Sequence, residues 1–111
     1  MRSRSVLVND FPATTTTKYT VPANTQAKWV LAYLHNSSGS TVANVGVDIL
    51  YNAVTIPIIG TKSFTSSESL KFGDGDYVIL EAGAEIKVVA DTTGVSAVFT
   101  IEETNQLVST Y

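Results

Sequence analysis

Apolar and polar residues alternate along most of this chain, which is the pattern of strands with one face buried. The clearest case is residues 95–103, where apolar residues recur at every second position: Val95, Ala97, Phe99 and Ile101. No segment carries the 3.6-residue period of an amphipathic helix. The pattern therefore predicts an all-β chain.

Turn residues divide the chain into about eight strands. Asn52-Ala53 fits a tight hairpin turn, Thr92-Thr93-Gly94 fits the last hairpin turn, and Pro57 marks a sheet edge or a bulge. Turn signals roughly every 8–12 residues are typical of an antiparallel β-sandwich. The predicted topology is a jelly roll or an immunoglobulin-like Greek key, and the Cys…Trp…Cys frame of antibody domains is missing. The predicted strands cover residues 16–21, 27–36, 42–51, 54–59, 67–72, 77–80, 84–91 and 95–103.

The apolar stripes give a set of residues predicted to be buried: Leu31, Val47, Ile49, Leu70, Ile86, Val88, Phe99 and Ile101. Residues 29–34 and residues 54–59 are apolar on both faces, and we predict that the second of these runs is buried. That is more apolar surface than one sandwich covers. We therefore expect a homo-oligomer, with a trimer as the first choice, or a subunit bound to a larger shell.

The ends of the chain divide it further. We predict an extended N-terminal arm over residues 1–17, a β-sandwich over 18–103 and a C-terminal tail over 104–111. The arm contains a short strand-like run, and we expect it to add a strand to the sheet of a neighbouring subunit. The residues expected at the subunit interface are Val6, Leu7, Val8, Trp29 and Tyr33.

Composition excludes several classes of protein. The 111 residues fit one domain, and charged residues make up only 15%, against about 25% in typical soluble domains. A net charge of −3 without clustered Lys and Arg argues against nucleic-acid binding. The chain has no Cys, which excludes disulfides and thiolate metal sites. The apolar run at residues 6–8 is too short for a signal peptide, and no run reaches the ~20 residues of a membrane span. We expect synthesis in a cytoplasm and no cofactor.

Catalytic chemistry has few candidates. His35 is the only histidine, and a nucleophile paired with it would have to be Ser or Thr. No GxSxG-type elbow presents such a serine. Glu102 and Glu103 are adjacent, so they point to opposite faces of a strand and cannot act as the carboxyl pair of a glycosidase. We therefore expect a protein that is not an enzyme.

The GDGD turn at residues 73–76 is the best candidate for an ion site. Asp74 and Asp76 stand two residues apart on a Gly-rich loop, and Glu81 and Glu85 follow nearby. Carboxylate oxygens suit Ca²⁺, which takes six to eight of them. The EF-hand pattern is absent, however, and Asp-Gly is ordinary hairpin chemistry. Both interpretations stay open, and the prediction is no metal site.

Three aromatic residues, Trp29, Tyr33 and Tyr51, offer rings that can stack on a sugar. The commoner use of such residues on a strand is packing in a core or between subunits. The sequon at Asn36-Ser37-Ser38 also admits two interpretations, and we assign it to turn chemistry rather than to glycosylation.

Two segments carry a resemblance to known proteins. They read YTVPANTQAKWVLAYLHNSSGSTVANVGVDILYN and LKFGDGDYVILEAGAEIKVVADTTGVSAVFTIEE. Both resemble segments of small β-sandwich virion proteins of tailed bacteriophages. In those proteins a YTVPANT segment leads to an apolar strand that ends in Asn-(Thr/Ser)-Ser-Gly, and a "vLeaGd.I.v.a" segment precedes the last strand. The resemblance covers about residues 18–103. One departure is Ala84, where the family usually has an acidic residue, with Glu85 next.

The resemblance implies a structural role and no catalytic residue. Family members occupy the capsid surface as decoration or cement proteins, the neck between head and tail, or the attachment of tail and fibres. The expected partners are further copies of the chain and virion proteins such as the major capsid, neck or tail proteins. The expected location is the virion, after synthesis in the cytoplasm of a bacterial host. The alternative is a carbohydrate- or receptor-binding module of a tail fibre.

Overall fold

The computed structural model describes residues 2–73 and 75–105. These residues form nine strands and no helix, which confirms the all-β prediction. The strands are β1 (Arg2–Val8), β2 (Thr16–Thr20), β3 (Thr25–Asn36), β4 (Val42–Tyr51), β5 (Val54–Phe64), β6 (Ser69–Phe72), β7 (Val78–Leu80), β8 (Glu85–Val89) and β9 (Val95–Asn105).

The strands form two antiparallel sheets. The first has the order β1-β9-β3-β6, with β7 also paired to β3, and the second has the order β2-β8-β4-β5. Strand β6 pairs with residues 32–35 of β3, and β7 pairs with residues 27–29. The two short strands therefore occupy one edge position, interrupted between Phe72 and Val78, and each layer has four positions.

The topology is that of a jelly roll. The β4–β5 hairpin is enclosed by the pair of β3 with β6 and β7, then by β2 with β8, and last by β1 with β9. Successive pairs fall alternately in the two sheets, as in a long hairpin rolled around a core. At its tip, Asn52 and Ala53 have φ values of 50° and 62°, which a type I′ turn requires. The predicted tight hairpin turn is thus confirmed.

A second predicted hairpin is wrong. Thr92-Thr93-Gly94 connects β8 to β9, and these strands belong to different sheets. The turn therefore carries the chain from one layer to the other.

The centre of the core is Trp29, which is fully buried. Its ring makes edge-on contacts with Phe72 and Phe99, with centroids 5.2 and 5.1 Å apart. Six of the eight residues predicted to be buried are buried: Val47, Ile49, Ile86, Val88, Phe99 and Ile101.

Leu31 and Leu70 are only half-buried, which corrects the prediction. The pairing of β3 with β9 shifts by one residue between Trp29 and Leu31. This β-bulge turns Leu31 away from the core, and Ala32 and Leu34 continue the buried face that Trp29 began. Leu70 lies on the edge strand β6, where a side chain has fewer neighbours.

The expectation that residues 54–59 form a buried run is wrong for most of them. Only Ile59 is buried, and Ile56 is 55% exposed, because β5 is the outer strand of its sheet. The interpretation of Pro57 is confirmed, since the pairing with β4 skips a residue between Ile59 and Pro57 at this edge.

The N-terminal segment does not leave the domain as an arm. Strand β1 pairs with β9 of the same chain, from Arg2 opposite Glu103 to Val8 opposite Ala97. Phe11 is buried, and its N–H donates to the carbonyl of Val95 at 2.9 Å. The sandwich therefore includes residues assigned to the arm. Strand β9 includes residues 104 and 105 of the predicted tail, and residues 106–111 lie outside the described part of the chain.

Candidate functional site

The catalytic candidate His35 lies on the outer face of the first sheet. Its Nδ1 is 2.6 Å from Ser69 Oγ, and the Tyr33 hydroxyl donates to the same oxygen at 3.3 Å. A serine nucleophile needs a base that is itself oriented by a third group, and donors for an oxyanion. Among the described residues, the hydrogen bonds of the His35 ring supply only the serine. This arrangement is a hydrogen-bonded surface cluster across two neighbouring strands.

Of the acidic residues considered for calcium, Asp76, Glu81 and Glu85 lie in the described part of the chain. Asp74 lies outside the described residues, and Asp76 is exposed. Glu81 accepts a hydrogen bond from Gln26 at 3.1 Å, and Glu85 accepts one from Thr17 at 2.6 Å. Within residues 2–73 and 75–105, no three acidic or histidine side chains form a group that could hold a metal ion. The same ranges contain no helix long and apolar enough to cross a membrane.

The Asn36 side chain confirms the assignment of the sequon to turn chemistry. It is fully buried, and its amide nitrogen donates to the carbonyls of Ser40, Phe64 and Thr65 at 2.7–3.1 Å. Its Oδ1 accepts from the backbone and hydroxyl of Ser38 at 3.0 and 2.8 Å. The side chain thus fastens the end of β3 to the end of β5, and no room is left for a glycan.

A buried polar cluster, which the sequence reasoning missed, joins the two sheets. The Glu103 side chain is buried at one end of the core. The Tyr19 hydroxyl donates to its Oε2 at 2.5 Å, and Arg4 Nη1 lies 3.4 Å from the same oxygen. Burial, together with the Glu103 carboxylate, raises the pKa of the Tyr19 hydroxyl above its ordinary value of 10.0. The sequence contains a signal for this cluster, because the two-residue period of a strand places Glu103 on the same face as the apolar residues Phe99 and Ile101.

Beside this cluster lies a depression of about 490 Å³. Arg2, Arg4 and Glu103 line it together with residues 22, 23 and 25 and residues 104–105. Its charged side chains include the Arg4–Glu103 ion pair, so part of its charge is already neutralised within the chain.

Most of the large apolar side chains that are exposed in the described part of the chain lie in two places. The first, which we call the outer-face row, runs across the first sheet, where Leu7, Val98 and Tyr33 stand opposite one another on β1, β9 and β3. Leu7 is 74% exposed. Lys71 on β6 ends the row beside Tyr33.

The outer-face row contains only part of the predicted interface. Leu7 and Tyr33 are exposed, and Val6 is half-buried. Val8 and Trp29 are buried in the chain's own core, so their side chains are not available to a partner, and this part of the prediction is wrong. Val98 was missed because a single valine gives no sequence signal of its own.

The second place, which we call the hairpin groove, lies between β5 and β7. Ile56 pairs with Ile49, and Val54 pairs with Tyr51, so these side chains lie on the face of their sheet that carries the core. Tyr51, Val54 and Ile56 are nevertheless exposed, because the facing sheet ends in the three-residue strand β7 and does not cover them. The groove encloses about 180 Å³ and is lined by Ile49, Tyr51, Ile56, Val78, Ile79, Leu80, Glu81 and Ala84.

Comparisons with known proteins give no family for this chain. Its sequence matches no model of a protein family, and no curated protein matches it. The chain is therefore described by its jelly-roll topology and its two exposed apolar surfaces.

Proposed function

We propose that this chain is a non-enzymatic structural subunit of a tailed-phage virion. It would serve as a capsid decoration or cement protein, or as a component of the neck or of fibre attachment, by packing against neighbouring subunits. The observation that carries this proposal is the grouping of exposed apolar side chains. Seven of the eight large hydrophobic residues most exposed in the described part of the chain are gathered in the outer-face row and around the hairpin groove: Leu7, Tyr33, Tyr51, Val54, Ile56, Ile79 and Val98.

Such grouping is the property of a surface that binds another macromolecule. Apolar residues scattered singly over a surface need no explanation, whereas connected patches mark interaction sites. Between Asp48 and Lys62 the chain has no charged residue, so the part of β5 that borders the groove, residues 54–59, carries no Lys side chain of the kind that commonly protects an edge. This strand is therefore suited to lie against a partner.

Three further observations support a virion setting. Viral capsid proteins and lectins both use the jelly roll. The resemblance of residues 18–103 to phage virion proteins extends over both halves of the roll. The low charge of the chain, 15% of residues, fits a subunit that is surrounded by other protein.

The carbohydrate-binding alternative is less well supported by the geometry. Of the three rings considered for stacking on a sugar, Trp29 is buried in the core. Tyr33 belongs to the outer-face row and Tyr51 to the hairpin groove, so these two rings lie on different surfaces and do not form one platform. Packing against another protein can use both surfaces, whereas a sugar-binding platform would need the two rings on one surface.

The test is recovery of the protein in purified particles. Particles produced by the genome that encodes the chain are separated on a density gradient, and the copy number of the chain per particle is measured by quantitative mass spectrometry. We expect a fixed copy number, resistant to high-salt washing because the contacts are apolar. Recovery only in the unassembled fraction, or a glycan-array signal that Tyr33→Ala or Tyr51→Ala abolishes, would contradict the proposal.

A variant connects this test to the surface. Leu7→Lys places a charge in the outer-face row, and we expect a lower copy number per particle. Ser3→Lys is the matched control, because Ser3 is exposed on the same strand and face, four residues away. Equal occupancy of the two variants would exclude the outer-face row as a contact with the particle.

A further inference from the structure

We propose that the depression beside the polar cluster binds an organic carboxylate, which Arg2 and Arg4 hold. This is a ligand site in addition to the proposed structural role, and it does not depend on that role. It is carried by the arrangement of charges around a concave surface of about 490 Å³.

Two guanidinium groups reach the depression from one face of β1. Residues two apart on a strand point to the same side and lie about 7 Å apart along it. Arg2 and Arg4 therefore share the side of β1 that carries Val6 and the buried Val8, which pack against the core. Both arginines line the depression, so their charges converge on one space.

The Arg2 side chain is the unused cation of the pair. Among residues 2–73 and 75–105, it makes no ion pair, hydrogen bond or ring contact. A guanidinium group with free N–H donors beside a concave surface is the group that recognises carboxylates in proteins. Arg2 is therefore the residue on which binding should depend most directly.

The Arg4 side chain is held on one side and open on the other. Its Nη1 lies 3.4 Å from Glu103 Oε2, and its guanidinium carbon lies 5.8 Å from the centroid of the Tyr19 ring. The side chain is nevertheless 44% exposed, so N–H donors that Glu103 does not use remain accessible. An arginine already fixed in this way loses less side-chain freedom when a ligand binds.

The charge of the lining selects the class of anion. The charged lining residues are Arg2, Arg4 and Glu103, two positive and one negative, which leaves a net charge of +1. This favours a singly charged anion, because the Glu103 carboxylate repels a doubly charged phosphate more strongly. The planar fork of a guanidinium also matches the two oxygens of a carboxylate, with which it forms two parallel hydrogen bonds.

The size of the depression indicates that the ligand is more than a bare carboxylate. A volume of about 490 Å³ equals the liquid volume of about sixteen water molecules. The uncharged lining residues are both apolar and polar: Pro22, Ala23, Thr25, Thr104 and Asn105. An organic molecule with a carboxylate at one end and a small, partly apolar body fits such a lining.

The experiment titrates N-acetylalanine into the full-length protein labelled with ¹⁵N, and follows the backbone amide and arginine Nε–H signals by NMR. Sodium chloride keeps the ionic strength constant. N-acetylalanine amide is the matched control ligand, because it has nearly the same shape without the charge. Sodium phosphate is the third titrant, which separates recognition of a carboxylate from recognition of a phosphate.

We expect N-acetylalanine to cause saturating shifts that are confined to residues around the depression, and the amide to cause none of them. Arg2→Gln should weaken binding by roughly tenfold or more, because hydrogen bonds between charged groups are lost. The fold should tolerate this change, since Arg2 is exposed. Lys18→Gln is the matched control, because it removes the same charge from an exposed position that does not line the depression, and it should keep the wild-type affinity.

Four results would overturn the inference. They are shifts that rise linearly without saturation, equal binding of the acid and its amide, an Arg2→Gln variant with the wild-type affinity, or phosphate binding tighter than that of the carboxylate. The proposed virion role is decided by recovery in particles. Each proposal can therefore fail while the other stands.

Discussion

The hydroxyl of Tyr19 is the atom whose removal tests the polar cluster most directly. It donates to Glu103 Oε2 at 2.5 Å, and both residues are buried. Tyr19→Phe keeps the ring and its packing, so the change removes one hydrogen bond and creates almost no cavity. The remaining partner of the carboxylate is Arg4 Nη1 at 3.4 Å, which is longer than the about 2.7–2.9 Å of a strong charge-assisted hydrogen bond.

The expected loss follows from the charge on the acceptor. A hydrogen bond to a charged group contributes about 1.5–3 kcal/mol, and Arg4 compensates only in part. We therefore expect Tyr19→Phe to lower the free energy of unfolding by about 1.5–3 kcal/mol. At about 4 °C per kcal/mol for a domain of this size, the melting temperature should fall by roughly 6–12 °C.

Urea denaturation at pH 7, followed by tryptophan fluorescence, measures this loss, since Trp29 lies at the core centre. Tyr33→Phe is the control, because it removes the same atom from an exposed ring and should change stability by less than about 0.5 kcal/mol. A double-mutant cycle of Tyr19→Phe with Glu103→Gln isolates the pair. A loss below about 0.5 kcal/mol with an unchanged m-value, or a coupling energy near zero, would show that Glu103 does not depend on Tyr19.

Three further predictions follow from the same structure. Because the pKa of Tyr19 is raised in the folded state, the unfolded state loses this proton first, so stability should fall as pH rises above about 10. Tyr19→Phe should show a shallower fall, and parallel pH profiles of the two proteins would contradict this. Phe99→Ala should cost about 3–5 kcal/mol in urea denaturation, because the ring is fully buried against Trp29, and a loss below about 1 kcal/mol would mean that the register of β9 is wrong. Asn36→Ala should cost about 1–3 kcal/mol, since it removes the buried amide that donates to carbonyls such as that of Phe64, and unchanged thermal melting would contradict it.

Most strands were predictable from the sequence because apolar and polar residues alternate in any strand that has one face in the core and one in water. Strand β4 spans Val42–Tyr51, as the pattern predicted. The face of a strand is harder to predict when both faces are apolar. In β3 the residues WVLAYL give no contrast between faces, so the one-residue bulge after Trp29 left no mark in the sequence, although it reversed the exposure of every residue that follows.

The partner of the N-terminal strand was not predictable for a different reason. Arg4 and Glu103 are 99 residues apart, and the local sequence of β1 carries no information on which edge it joins. Its exposure pattern explains the incorrect prediction of an arm. Of its seven residues only Val8 is buried, so the strand looks like a solvated tail although its backbone is paired along its length.

The candidate surfaces were predictable in part. Excess apolar residues in β5 were recognised in the sequence, but they were assigned to the core because period and hydrophobicity do not distinguish a central strand from an uncovered edge. Which strand lies at an edge depends on the order of strands in the sheets. Tyr33 and Leu7, which were predicted at a subunit interface, are exposed, whereas Ile79 became a groove residue only through the topology.

The hairpin groove and the bulge in β3 have a common origin. Gly73 follows β6 with φ at 131°, and a Cβ on it would overlap the carbonyl oxygen of Val30, the residue at the bulge. The edge strand thus ends where the bulged backbone of β3 comes close, and pairing resumes only at Val78. The strand that resumes the pairing, β7, is three residues long, which is too short to cover the β4–β5 hairpin. Between the two short strands, Gly73 therefore has a structural role of its own, because it lets the backbone pass the bulge of β3 where a side chain would not fit.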